Sequence, residues 1–288
     1  MHIQLSTVLL FTLLPIMSTA QPVSNAETQA RLALDRFLEA FNSGDNDLVR
    51  QQVNFPAVTH GPDSISIATI PSEFAIPYEA NRTQGWASSR WDRVTTYFVS
   101  DEKVNFGVDF SRLNDAGEVY VTGYVFYVFT NQNGHWGMQY RAGDLATDRY
   151  DQALLESARQ EATAAVDEFF RAFNARDNAA LHRVHHVPQA LIAFENNLFL
   201  RADDMDAPLV HTDFSALQSR ENWVRSEYED VRIVGATPTR VIFELLFQRI
   251  NTAGGVYMRI PALWVLARQD GRWGIQFRSL MASTSKGE

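Results

Sequence analysis

The chain has 288 residues, 45% of them hydrophobic and 20% charged, enough apolar material for ordinary cores and too little polarity for wholesale disorder. Cysteine is absent, which excludes disulfides, thiolate metal sites, iron–sulfur ligation, a cysteine nucleophile and a lipid-bearing cysteine anchor. The net charge of −9 argues against nucleic acid or an anionic membrane as a partner.

The first predicted element is a targeting segment. Val8 to Met17 form a short apolar run, and Ser18-Thr19-Ala20 places small residues before a cut at Gln21. The run is shorter than the ~20 apolar residues of a membrane span and has the length and ending of a secretory signal. Met1 to Gln4 lacks the usual Lys or Arg. Residues 1–20 are expected to be a signal peptide, and the mature protein to be exported, periplasmic or secreted, with no membrane association once the signal is removed.

The remainder states one pattern twice. The stretch Asp35 to Asn46, DRFLEAFNSGDN, returns 132 residues later as Asp167 to Asn178, DEFFRAFNARDN. Pro56 corresponds to Pro188 at that spacing, and Trp91 to Trp223. From Arg112 onward the spacing is 137: Arg112, Asn114 and Gly117 match Arg249, Asn251 and Gly254, and Trp136 to Arg141 matches Trp273 to Arg278. A longer connection in the second copy, between Trp91 and Arg112 in first-copy terms, accounts for the change. Each copy spans about 130 residues, a domain rather than a solenoid repeat. The expected boundaries are 21–150 and 151–288.

In each copy the elements read helix first, then sheet. Leu34, Phe37, Leu38 and Phe41 follow helical spacing, as do Val166, Phe169, Phe170 and Phe173. Gly44 suits a left-handed cap, and Asp45 and Asp177 suit the start of a second short helix, expected to run to Val53 or His186 and to stop at Pro56 or Pro188. Val104, Phe106, Val108 and Phe110 alternate with polar residues, as do Val241, Phe243, Leu245 and Phe247, which predicts half-buried strands. Longer strands follow over 119–130 and 256–267. Asn133-Gly134 and Asp270-Gly271 are hairpin turns into the last strands, 136–141 and 273–278. The fold class is α+β, with helices on a meander of antiparallel strands.

Helices followed by a sheet ending in G-x-W-G-[IM]-Q-[FY]-R, at Gly134 to Arg141 and Gly271 to Arg278, resemble the NTF2-like superfamily and, within it, the SnoaL-like group. Phe37, Phe41, Asn42, Asp45, Trp91 and the Arg112 to Gly117 turn carry the rest of the resemblance, with their second-copy counterparts. It covers nearly all of the chain after the targeting segment. It implies two tandem cone-shaped half-barrels, each enclosing a pocket between helices and a bent sheet, and an intramolecular pseudo-dimer through the sheet faces. Such folds host isomerases, cyclases, dehydratases and proteins that only bind or build. The pocket candidates it suggests are Trp91, Arg112, Tyr124, Trp223 and Arg249.

Isomerase or cyclase chemistry needs a pocket base and a donor for the developing oxyanion. Asp109 and Glu244 lie on the strand faces opposite the core, which reads as solvent-facing or inter-domain polarity. Arg112 and Arg249 share parity with the apolar face; each is either a guanidinium at the pocket rim for an anion or an arginine closing the sheet against a carboxylate. His182 and His186, four apart, have clamp spacing, but no acidic residue lies between them and the first copy has Arg50, Val53 and Asn54 there. The cluster reads as fortuitous, so no metal is expected, and neither is a cofactor, since no phosphate-binding or nucleophile motif is present. His60 and His211 are unmatched singles, and Asn81-Arg82-Thr83 fits a glycosylation sequon. The expected role is non-catalytic binding of a small apolar or amphipathic ligand, or a structural one. The alternatives are an isomerase, cyclase or dehydratase acting on a small apolar substrate, and a protein-interaction scaffold.

Overall fold

The first unit opens with α1 (Asn25–Ser43), whose buried residues, among them Ala30, Leu34, Phe37 and Phe41, recur every three or four positions and form one face. Gly44, with φ of 71°, ends it in the left-handed region. The Asp45 carboxylate accepts from the Asp47 N–H at 2.7 Å and caps α2 (Asn46–Arg50). The computed structural model describes residues 25–61, 64–145, 150–194 and 197–281, so the expected signal peptide lies outside it.

The second helix is shorter than its sequence suggests. Val53–His60 is a strand, β1, and Pro56 sits inside it instead of ending a helix. β1 runs parallel to β6 (His135–Leu145), and their ladder is interrupted between Val53 and Val58. Proline has no N–H to donate, so it fits the gap. Gln139 bridges there, its Nε2 donating to the Pro56 carbonyl at 3.1 Å.

β2 (Ile65–Ala68), α3 (Tyr78–Thr83), β3 (Ser88–Val99), β4 (Lys103–Leu113) and β5 (Val119–Gln132) complete the unit, and the sheet order is β2-β1-β6-β5-β4-β3. The predicted antiparallel meander is β4 to β6; β3 extends it by one antiparallel strand that the sequence reading did not include, and β1 adds a parallel neighbour and makes the sheet mixed. The second unit repeats this with α4 (Gln152–Ala175), α5 (Asn178–Arg183), β7 (His185–Ile192), β8 (Phe199–Ala202), α6 (Phe214–Glu221), β9 (Trp223–Thr237), β10 (Arg240–Asn251), β11 (Val256–Gln269) and β12 (Arg272–Leu280), in the order β8-β7-β12-β11-β10-β9. Each unit thus has the α+β architecture that the resemblance implies.

Hydrogen bonds relocate the length difference between the copies. Asn42 Nδ2 donates to the Ser89 carbonyl and Asn42 Oδ1 accepts from the Ser89 N–H, both at 2.8 Å. Asn174 clasps Ser226 in the same way, at 2.8 and 2.7 Å. Trp86 Nε1 donates to Ser89 Oγ at 3.0 Å, and Trp223 Nε1 to Ser226 Oγ at 2.9 Å. The counterpart of Trp223 is therefore Trp86, not Trp91. Trp91 faces Phe110 across the ladder as Tyr228 faces Phe247, so its counterpart is Tyr228. The five extra residues lie upstream of Trp86: two in the turn between the first two strands, where Ala68 corresponds to Ala202, and three in the connection that follows them.

The outer sheet faces share one core. Val58, Phe126, Val128 and Tyr140 of the first unit pack with Ile192, Leu263, Val265 and Phe277 of the second. Tyr140 and Phe277, counterparts of each other, stack with ring centroids 3.7 Å apart. Buried Lys103 donates from Nζ to the carbonyls of Ile192, Ala193 and Leu280 at 3.2, 2.9 and 2.8 Å. Its counterpart Arg240 donates to the carbonyls of His60 at 2.9 Å, Gly143 at 3.1 Å, and Gly61. The acceptors on one side are the counterparts of those on the other, the reciprocity of an isologous interface. Among the described residues, no helix is long and apolar enough to cross a membrane.

Candidate functional site

The inner face of the first sheet, roofed by the end of α1, encloses a cavity of about 200 Å³. Phe41 of α1, Trp91 of β3 and Phe110 of β4 make its aromatic side, with Val125 and Tyr127 of β5 as its floor. Arg112, Arg141 and Gly143 complete the wall, beside Ser89. The Asn42 clasp on Ser89 fixes where β3 meets the helix, so the repeated Phe-Asn pair positions one edge of the cavity.

The polar groups here are mostly donors. Arg112 reaches Asn81 Oδ1 at 3.3 Å, a neutral partner. Arg141 Nε and Trp91 Nε1 are buried without a hydrogen-bond partner among the described residues. A buried unmet donor costs about 1–3 kcal/mol, so the cavity favours a molecule that accepts hydrogen bonds. Burial pushes the Tyr127 hydroxyl above its usual range, and the two nearby guanidiniums, Arg141 and Arg112, pull the other way.

The structure places Trp91 and Arg112 together in this wall. Tyr124 lies elsewhere. Strand alternation puts it on the outer face, where its hydroxyl meets that of Tyr97 at 3.1 Å across Gly107. A side chain at Gly107 would collide with Tyr124, since a Cβ there would lie 2.2 Å from the hydroxyl oxygen. Trp223 is fully buried core, against Phe173 and Phe214. Arg249 is paired with Glu221, which also accepts from the Tyr257 hydroxyl at 2.8 Å.

The second unit has changed the same inner face. Trp264 stands where the first has Tyr127; it is 1% exposed and stacks on Phe170 with rings 5.6 Å apart. Leu280 replaces Gly143. Arg278, the counterpart of Arg141, is held over the Trp264 ring at 5.9 Å and donates to the Leu209 carbonyl at 2.9 Å. Burial, helped by Arg249, pulls Arg278 down to about 10. Glu221 has Gln84 as its counterpart in the first unit, so that position holds an amide where Arg249 faces a carboxylate.

No family model matches the chain, and no curated protein matches it. Solved structures similar to it include a protein of unknown function with a cystatin-like fold from Nostoc punctiforme, 11% identical, covering 42% of this chain and 91% of its own, with a TM-score of 0.37. An NTF2-like superfamily protein from Salmonella enterica is 14% identical, with coverage of 43% and 96% and a TM-score of 0.35. A ketosteroid isomerase-like protein from Erwinia carotovora is 17% identical, with coverage of 43% and 99% and a TM-score of 0.34.

The remaining sequence candidates lie outside the cavity. Asp109 pairs with Arg93 at 2.7 Å and Glu244 with Arg232, both on outer faces. His60 Nδ1 lies 3.2 Å from the Tyr140 hydroxyl in the shared core. His185 Nδ1 donates to the Leu181 carbonyl at 2.8 Å and His186 Nε2 to that of Arg272 at 3.0 Å. Asn81, the sequon asparagine, is buried under Arg112. Arg141 and Tyr127 are the titratable wall residues that sequence reading missed. The signal for Arg141 was its repetition as Arg278; parity pointed the other way.

Proposed function

We propose that the first unit is a non-catalytic binding module for a small aromatic or amphipathic carboxylate, in an exported tandem NTF2-like protein. The observation that carries this reading is Arg112 and Arg141 set in an aromatic wall with unmet donors. Guanidinium forks match carboxylate oxygens, and aromatic faces take the apolar remainder. The cavity is smaller than the roughly 300–1,000 Å³ of drug-sized sites, which suits one ring with a short acid arm. Proton transfer needs a base poised near neutral pH. The wall's titratable groups are instead guanidiniums and a phenol whose ionisation burial opposes, which favours binding over isomerisation.

We infer also that the second unit serves as a built-in dimer partner, supported by the reciprocal Lys103 and Arg240 contacts. Export rests on residues 1–20, and sequencing of the secreted protein is expected to begin at Gln21. The binding test is calorimetry with phenylacetate against phenylacetamide. Phenylacetate is expected to bind once per chain and at least tenfold more tightly than the amide, a preference that Arg141→Met removes. Equal binding of acid and amide, or none of either, would overturn the reading.

A further inference from the structure

The loop before the third helix is fastened to the short second helix in both units, but by different means. In the first unit Asn46 does half of the work: its Oδ1 accepts from the Ile76 N–H at 2.7 Å and its Nδ2 donates to the Ile76 carbonyl at 3.2 Å. Arg50, one turn on, does the other half, with Nε donating to the Phe74 carbonyl at 2.9 Å. In the second unit Asn178 repeats the first clasp on Thr212, at 2.9 and 3.0 Å. The counterpart of Arg50 is His182, which cannot reach as an arginine does.

What surrounds His182 is a different set of groups. Donor atoms of His182, Asp206 and His211 lie within 4.8 Å of one another. The two imidazole centroids are 5.6 Å apart. His182 Nε2 is buried and has no hydrogen-bond partner. The loop carrying the other two is itself folded: the Asp206 N–H donates to the Asp204 carboxylate at 3.0 Å and the His211 N–H to the Ala207 carbonyl at 2.8 Å. Asn178 Nδ2 donates to His211 Nε2 at 3.2 Å, a contact that a metal ion bound through that nitrogen would replace.

We propose that His182, Asp206 and His211 form a site for a divalent transition-metal ion of the zinc class, which fastens this loop to α5 where Arg50 fastens the first unit's. Two imidazoles and a carboxylate are a borderline-hard donor set that suits zinc, and three protein ligands leave a position for water. Tetrahedral bonds of about 2.0 Å bring donor atoms to roughly 3.3 Å from one another. Asp206 and His211 are both exposed, so rotation of their side chains covers the remaining distance. Sequence spacing pairs His182 with His186; the fold pairs it with His211, an unmatched single in the sequence.

The test is calorimetric titration of chelator-stripped full-length protein with zinc chloride, with cobalt absorption as a second readout. One zinc per chain is expected, with a higher melting temperature and, for cobalt, the visible spectrum of a nitrogen- and oxygen-ligated site. Asp206→Asn and His211→Ala alter side chains on the surface loop and are expected to preserve folding by circular dichroism while weakening zinc binding at least tenfold each. His182→Arg, which restores the first unit's residue, is expected to abolish binding and to lose the zinc-dependent rise in melting temperature. No stoichiometric zinc binding, or binding that survives these substitutions, would overturn the proposal.

Discussion

Gln84 and Glu221 occupy one position in the two units and decide the charge of each inner face. Glu221 neutralises Arg249, whereas among the described residues Arg112 meets the neutral Asn81 amide. Gln84→Glu is therefore expected to bring a carboxylate against Arg112 and to weaken phenylacetate binding roughly 10- to 100-fold, the worth of a charge-assisted hydrogen bond of about 1.5–3 kcal/mol. Calorimetry on the variant checks this, and unchanged affinity would show that Arg112 takes no part. Arg112 was legible as a candidate because its parity follows Phe110 directly. The partner that distinguishes it from Arg249 was not, since Gln84 and Glu221 sit beyond connections of unequal length that obscure their equivalence.

Strand irregularities account for most of what alternation misplaced. Trp136 and Met138 of β6 face the helix, but Tyr140 and Ala142 face the other unit. The β5–β6 register shifts between Val128 and Phe129, opposite Tyr140 and Met138. A bulge there re-aims everything after it, so Arg141 and Gly143 enter the cavity although strict period-two reading from Trp136 turns them outward. β4 has no such break before Arg112, and its alternation was read correctly. The first two helices of each unit were legible from apolar spacing and caps; α3 and α6 were not, and neither was β1, because its proline mimics a helix stop. Gly143→Leu copies the second unit. A Cβ at Gly143 has only ordinary contacts, 3.8 Å from Arg141 and 3.9 Å from Val125, so the change is expected to fill the cavity and remove phenylacetate binding with the fold retained. Circular dichroism with calorimetry checks both halves.

At the level of the whole chain, stability depends on groups buried between the units. Lys103→Met deletes the donor and leaves the carbonyls of Ile192, Ala193 and Leu280 without it, which is expected to cost about 2–4 kcal/mol in urea unfolding. His60 and His185 are both pulled down to about 3 by burial, so they stay neutral in the fold at pH 7. Below about pH 6.5 the unfolded chain takes up these protons and the folded one does not. Stability is then lost as pH falls from about 6.5 toward 3, by about 1.4 kcal/mol per pH unit for each histidine. Urea midpoints at pH 7, 5 and 4 test this, and His60→Gln is expected to flatten the slope.

The Lys103 and Arg240 contacts carry one more consequence. In a symmetric dimer of identical chains every substitution falls on both hollows at once. Here the two halves answer each other through different residues, a lysine on one side and an arginine on the other, and each half accepts changes singly. A tryptophan stands buried in one hollow where a tyrosine floors the other. If the first unit binds as proposed, joining the halves end to end has separated the duty of being a partner from the duty of holding a ligand.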